Sequence, residues 1–121
     1  MKHLLLTTIA AVVLVGCGEM EEAKRIDFQN SIAGGNIEAV KQHLAKGIDL
    51  HALNQDGWNP LHSAANHDRK EIAELLIAAG ADVDFTDGKG RTPLNLAGWE
   101  TADLLRKHGG KTGEELKAEG N

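Results

Sequence analysis

Asn59-Pro60-Leu61-His62-Ser63-Ala64-Ala65 is the stretch that decides the fold. Proline in the first turn of a helix sacrifices no hydrogen bond, because that N–H has no intrahelical partner, so Pro60 opens a helix. Ala64 and Ala65 are small enough to let that helix lie close against a neighbour. The same opening returns 33 residues later as Thr92-Pro93-Leu94-Asn95. Gly57 returns as Gly90, Gly47-Ile48-Asp49-Leu50 as Gly80-Ala81-Asp82-Val83, Glu38 as Glu71 and Leu44 as Ile77, all at the spacing of 33. A fixed period of this size marks a chain built by stacking one supersecondary unit on the next.

These residues resemble the ankyrin repeat, which reads roughly D-x-x-G-x-T-P-L-H-x-A-A, a turn, an apolar helix ending in L-L-L, and G-A-D-V-N. The middle unit follows it closely through Gly57, Pro60 to Ala65, Leu75-Leu76-Ile77 and Gly80-Ala81-Asp82-Val83-Asp84, departing at Asn54, Asn59 and Asp68. The first unit is degenerate, with Ser31-Ile32 in place of the paired alanines. The third is truncated: Asn59 to Gly80 is 21 positions, but Thr92 to Gly109 is 17, so four residues are missing around Gly98-Trp99. The resemblance implies an all-α fold, a short ankyrin-repeat solenoid of about three helix-turn-helix repeats with capping ends. The expected repeats are about 21–53, 54–86 and 87–110, with a C-terminal cap over 111–121, together forming a domain over 23–121.

Local signals fill in this frame. Asp68 with Glu71 three positions on reads as an acidic capping box for the second helix of the middle repeat, whose Ile72, Leu75 and Leu76 share one face. Gly47, Gly80 and Gly109 end the second helices in the left-handed conformation that glycine reaches without strain. Thr112 with Glu115 is another capping box, opening a terminal helix expected to lay Leu116 over the last repeat. Three units are about the minimum for a stable stack, and the charged start of the first repeat, with Glu21, Glu22, Lys24 and Arg25, serves as the other cap. Trp99, placed at the deletion, is expected to fill the gap in the core.

The N-terminal end carries a different message. After Met1-Lys2-His3 comes an apolar or small stretch from Leu4 to Val15, followed by Gly16-Cys17 and then Glu19, Glu21 and Glu22. Such a run spans roughly 18 Å as helix, short of a bilayer core of about 30 Å, so it reads as a signal-peptide core over 1–16. Leu14-Val15-Gly16-Cys17 resembles the bacterial lipobox, which implies acylation of Cys17, a lipidated tether over 17–22 and attachment to the cell envelope. From Cys17 to Ala23 that tether reaches at most roughly 20 Å. Gly18 in place of the aspartate associated with inner-membrane retention favours the outer membrane, facing the periplasm, in a Gram-negative host.

The chain is acidic, with a formal net charge of −5, and removal of Lys2 leaves 12 basic against 18 acidic side chains. It has no basic block, so nucleic acid is not the expected partner. The single cysteine makes no internal disulfide. No histidines stand at metal-helix spacing with a third ligand, no nucleophile has a histidine and acid beside it, and Gly88-Lys89-Gly90-Arg91-Thr92 lacks the spacing of a phosphate loop. The expectation is a non-catalytic module with no cofactor, no metal and no small-molecule substrate, binding a protein partner. Positions that the repeat leaves free are the candidates for contact: Gln55, Asp56 and Trp58 at one loop tip, Lys89 and Arg91 beside Gly88 at the next, and Asn66 and His67 at the end of the inner helix. Trp58 is read either as a binding anchor or as a ring folded back over a neighbour, Lys89 and Arg91 either as contacts or as solvated charges. Self-association of the repeat stack is the alternative function.

Overall fold

The computed structural model describes residues 22–120, and every described element is helical or loop. Helix α1 covers 22–34, α2 Ile37–Ala45, α3 Pro60–Asn66, α4 Lys70–Ala78, α5 Pro93–Leu96, α6 Trp99–Lys107 and α7 Gly113–Gly120. Pairs α1/α2, α3/α4 and α5/α6 are joined by short turns, and longer loops carry the chain from one pair to the next. Inner helix α3 packs on α5, and outer helix α4 packs on both α2 and α6, so the pairs stack as a short solenoid. The signal peptide expected over 1–16, and Cys17, lie outside the described residues.

The inner helices start where their caps dictate. Asn59 accepts the His62 N–H at 2.9 Å, leaving Pro60 as first helical residue. Thr92 and Asn95 make the equivalent box, the Asn95 side-chain oxygen accepting the Thr92 N–H at 2.9 Å ahead of Pro93. Asn36 caps α2 by accepting from Ala39. Gly47, Gly80 and Gly109 follow the outer helices at φ 77°, 105° and 83°, the left-handed conformation their positions require.

One continuous core runs through the stack. Phe28, Ile32 and Val40 from the first pair meet Leu61, Ala64, Ala65, Ile72, Ala73 and Leu76 from the second, and Leu94, Leu104 and Leu105 from the third. Ala64 and Ala65 are fully buried at the contact between inner helices, where a longer side chain would force the pairs apart. No buried side-chain nitrogen or oxygen among the described residues lacks a hydrogen-bond partner.

Three local expectations need correction. Trp99 does not fill the core: it is the first residue of α6 and is 82% exposed. The deletion is absorbed by the backbone, since α5 has four residues against seven in α3 and the chain then turns through extended Ala97 and Gly98. Asp68 does not form a capping box with Glu71. The N-cap of α4 is Arg69, which makes no side-chain cap bond, and Asp68, in left-handed backbone at φ 52°, sends its carboxylate to the next repeat. There it accepts from the Thr101 N–H at 3.2 Å and the Thr101 hydroxyl at 2.6 Å, doing for α6 what its own N-cap, Gly98, has no side chain to do. Leu116, finally, is only half-buried and stands outside the hydrophobic cluster.

The C-terminal cap is docked instead by polar contacts. Thr92 donates its hydroxyl to the Lys111 carbonyl at 2.5 Å, the Gly113 N–H donates to Asn95 at 2.8 Å, and the Lys111 N–H to Asp84 at 2.9 Å. Arg106 pairs with Glu115 at 2.8 Å. The Thr112–Glu115 capping box forms as its spacing predicts, the Thr112 N–H donating to Glu115 and the Glu115 N–H to the Thr112 hydroxyl.

The crossing carboxylate yields a stability prediction. Asp68→Ala is expected to lower the free energy of unfolding by about 1–2 kcal/mol, as loss of a helix cap does. Gly98→Ala places a Cβ against the Asp68 carboxylate, so it should destabilise the native chain more than it destabilises Asp68→Gly. Urea titration of the native chain, the three single variants and the Asp68→Gly/Gly98→Ala double variant checks this; strictly additive losses of Asp68→Gly and Gly98→Ala would contradict the contact.

Candidate protein-binding face

Two loop tips are built by one local device at the repeat spacing. The side-chain oxygen of Asn54 accepts the N–H of Asp56 at 2.8 Å and of Trp58 at 3.1 Å. Asp87, 33 positions on, accepts the N–H of Lys89 and of Arg91, both at 2.9 Å. Short polar side chains that bond the backbone two residues ahead form such turns readily. The first tip presents Gln55 and Asp56 to solvent, the second Gly88 and Lys89.

Trp58 and Arg91 are held between the tips rather than displayed on them. The Trp58 indole N–H donates to Asp87 at 3.0 Å, and the Arg91 guanidinium reaches the same carboxylate oxygen at 2.9 Å. The guanidinium also lies 5.8 Å from the centroid of the Trp58 ring, within cation–π range. His62, fully buried, donates Nε2–H to the Arg91 carbonyl at 2.9 Å and so links the inner helix of one repeat to the loop of the next. Of the two readings open for Trp58 from sequence, the ring takes the one folded back on its neighbours, and Arg91, read as a contact or a solvated charge, is instead paired with Asp87: the two form a clasp joining the second repeat to the third.

The electrostatics follow from that clasp. The Asp87 side chain is 1% exposed. Burial works to raise its pKa, but the Arg91 and Lys89 N–H groups, the guanidinium and the Trp58 indole outweigh burial and hold it at about 2. Burial pushes the His62 pKa down, keeping the ring neutral, although the Arg91 carbonyl opposes the shift.

Asn66 and His67 are exposed at the far end of α3, whose seven residues separate them from the tips by about 10 Å. His67 is turned back on its own helix, with Nδ1 2.9 Å from the Ser63 carbonyl. The predicted contact residues thus fall into two groups and do not converge on one site. Among the described residues no three His, Cys, Asp or Glu side chains are grouped to hold a metal ion, and no helix is long and apolar enough to cross a membrane.

A groove of about 590 Å³ was not expected from sequence. It runs between α1 and the 49–56 loop, with Phe28 and Pro60 in its lining and Gln55 and Asp56 beside it. Its apolar side chains include Ile26 and Leu53, 54% and 51% exposed. A signal existed. In the 33-residue register Ile26 stands where the later repeats have Asn59 and Thr92, and Leu53 where the next has Thr86, so each is apolar at a position occupied elsewhere by a polar side chain.

Comparison with known proteins agrees with this geometry. The profile for ankyrin repeats, in three copies, matches residues 29–113, and the chain belongs to the ankyrin-repeat family. It is similar to protein phosphatase 1 regulatory subunit 27 of Homo sapiens, 35% identical over 85 residues, covering 70% of this chain and 55% of that protein. The same subunit of Mus musculus is also 35% identical, over 78 residues, covering 64% and 51%. NF-kappa-B inhibitor alpha of Gallus gallus is 39% identical over 62 residues, covering 51% of this chain and 20% of its own length. The chain therefore spans about half the length of the first two relatives and less of the third. Membership in this family makes protein–protein interaction the class of function.

The clasp gives a pH-dependent prediction. The folded carboxyl resists protonation relative to its usual value of 3.8, so its contribution is complete above about pH 4 and is lost as the pH falls toward 2. A shift of that size corresponds to about 2 kcal/mol. Asp87→Asn is expected to lower stability by that order at pH 7 and to flatten the fall of stability between pH 4 and 2, read by urea unfolding at a series of pH values. A native slope in the variant would contradict the assignment.

Proposed function

We propose that this chain is a non-catalytic protein-binding module of the bacterial cell envelope, tethered to the membrane by a lipid on Cys17 and, in a Gram-negative host, held on the outer membrane facing the periplasm. The observation that carries the tether is the order Lys2, the apolar run from Leu4 to Val15, Gly16-Cys17 and then an acidic stretch. The binding part is supported by the repeat family and by relatives whose names denote a regulatory subunit and an inhibitor. Of the seven candidate contact residues, the reading keeps Gln55, Asp56 and Lys89 as the principal ones, with Asn66 and His67 as a second patch. Trp58 and Arg91 act through the shape they give the tips.

Self-association is the second reading, and Trp99 is the observation in its favour: an indole 82% exposed on an outer helix is unusual surface for a chain with two tryptophans.

The anchor is tested by expressing the tagged full chain in a Gram-negative bacterium supplied with radiolabelled palmitate. The native chain is expected to carry label and to sediment with outer-membrane fractions; Cys17→Ser is expected to lose both. Unlabelled native chain would remove the tether from the proposal. Light scattering of the native chain and Trp99→Ser separates the readings, since a concentration-dependent mass abolished by the substitution favours self-association.

A further inference from the structure

We infer that the groove between α1 and the 49–56 loop receives a segment of the partner protein that carries a large aliphatic side chain beside lysine or arginine. The inference rests on the binding-module reading above and names the chemistry of what is bound.

The groove exists because the first repeat breaks the rule obeyed by the other two. Asn59 and Thr92 stop their helices from extending backward by taking the N-cap position. Ile26, in the same register, has no side chain that can cap, and α1 continues at least to Glu22. The extra turn faces the 49–56 loop, so a helix wall stands opposite a turn wall. Ile26 and Leu53 are two of the three large apolar side chains exposed among the described residues, and both line this one feature. Apolar surface gathered in a cleft with a polar rim is the usual form of a contact site.

The charge of the rim selects the occupant. Glu22, Asp49 and Asp56 line the groove against Arg25 alone, and no lysine lines it. The carboxylates of Glu22 and Asp56 have no hydrogen-bond or ionic partner among the described residues, and one Asp49 oxygen is used by the His51 N–H at 2.8 Å. The remaining polar lining is amide: Gln29, Asn30, Asn54 and Gln55. An acidic segment would meet like charge, and a purely apolar one would leave the carboxylates unpaired, whereas a segment placing an aliphatic group between Ile26 and Leu53 and cations at the rim complements both features.

The repeat supplies a matched control. Asp82 is Asp49 one repeat on, makes the same backbone turn through the Asp84 N–H at 2.9 Å, and lies away from the groove. In cells expressing the full chain, a photoreactive amino acid replaces Leu53 in one version and Lys89 in another, and crosslinked peptides are mapped by mass spectrometry. The Leu53 version is expected to capture a partner segment with a large aliphatic residue next to lysine or arginine. Asp49→Lys with Asp56→Lys should lower its yield about tenfold, the loss expected when two charge pairs become repulsive; Asp82→Lys should leave it unchanged. Circular dichroism of the variants confirms folding. A captured segment that is acidic or lacks basic residues, a yield indifferent to Asp49 and Asp56, or capture from Lys89 alone would overturn this inference and leave the binding-module reading standing. Absence of a partner crosslink from both sites would overturn both.

Discussion

Each helix pair of this chain has an apolar face that it cannot cover by itself, and the fold is the arrangement in which those faces cover one another. Leu61 and Leu76 of the middle pair are fully buried because pairs stand on both sides of them. Such a stack is held by nearest neighbours, so each junction matters: the loss of either one would uncover the middle pair and the core with it. That explains why so many polar side chains are spent at the junctions.

Those polar contacts differ from one junction to the next. Between the first two repeats Arg69 donates to the Ala33 carbonyl and Ser63 to Gln29. Between the second and third, His62 holds the Arg91 carbonyl, Trp58 and Arg91 share Asp87, and Asp68 caps α6 through Thr101. Behind the third, Thr92, Asn95 and Asp84 hold the terminal cap. The third repeat, whose α5 has only four residues, is held by crossing contacts on both of its sides. An exposed ion pair adds little to stability, but the carboxylate of Asp87, shielded from water and fully hydrogen-bonded, is costly to disturb.

The period, helix starts and glycine stops were legible because each depends on a residue and its near neighbours: Pro60 after Asn59, Gly80 after Ile77, Thr112 before Glu115. What failed to be legible depends on where a side chain goes once the repeats are stacked. Asp68 and Glu71 have the spacing of a cap, but a left-handed backbone at Asp68 turns its carboxylate toward Thr101, 33 residues away. Trp99 stood beside a deletion, and nothing local says that a backbone turn can close a gap that a ring could also fill. Trp58 was undecided for the same reason, since its partner Asp87 belongs to another repeat. The groove was hidden because it arises from a departure, an isoleucine where a capping residue belongs, and departures from a repeat are easily set aside as degeneracy.

That last point bears on how a small repeat domain can acquire a specific surface. Residues the repeat requires are spent on the stack, and here the clasp shows that even conspicuous side chains such as Trp58 and Arg91 are spent there. Freedom remains where the register is broken or indifferent: Ile26 and Leu53, which replace polar positions, Gln55, Asp56 and Lys89, which ride on turns fixed by Asn54 and Asp87, and Asn66 and His67 at the end of α3. The turns are rigid because their backbone N–H groups are taken by one side-chain oxygen each, so the free side chains start from a set framework, which lowers the ordering entropy of binding. The two ends of the surface differ in sign, carboxylates dominating the groove beside α1 and Lys89 standing at the tip one repeat away. A surface with such a gradient fixes the direction in which a partner segment lies, and orientation is what a short stack most needs, since its own near-repetition would otherwise allow a partner to bind shifted by one unit.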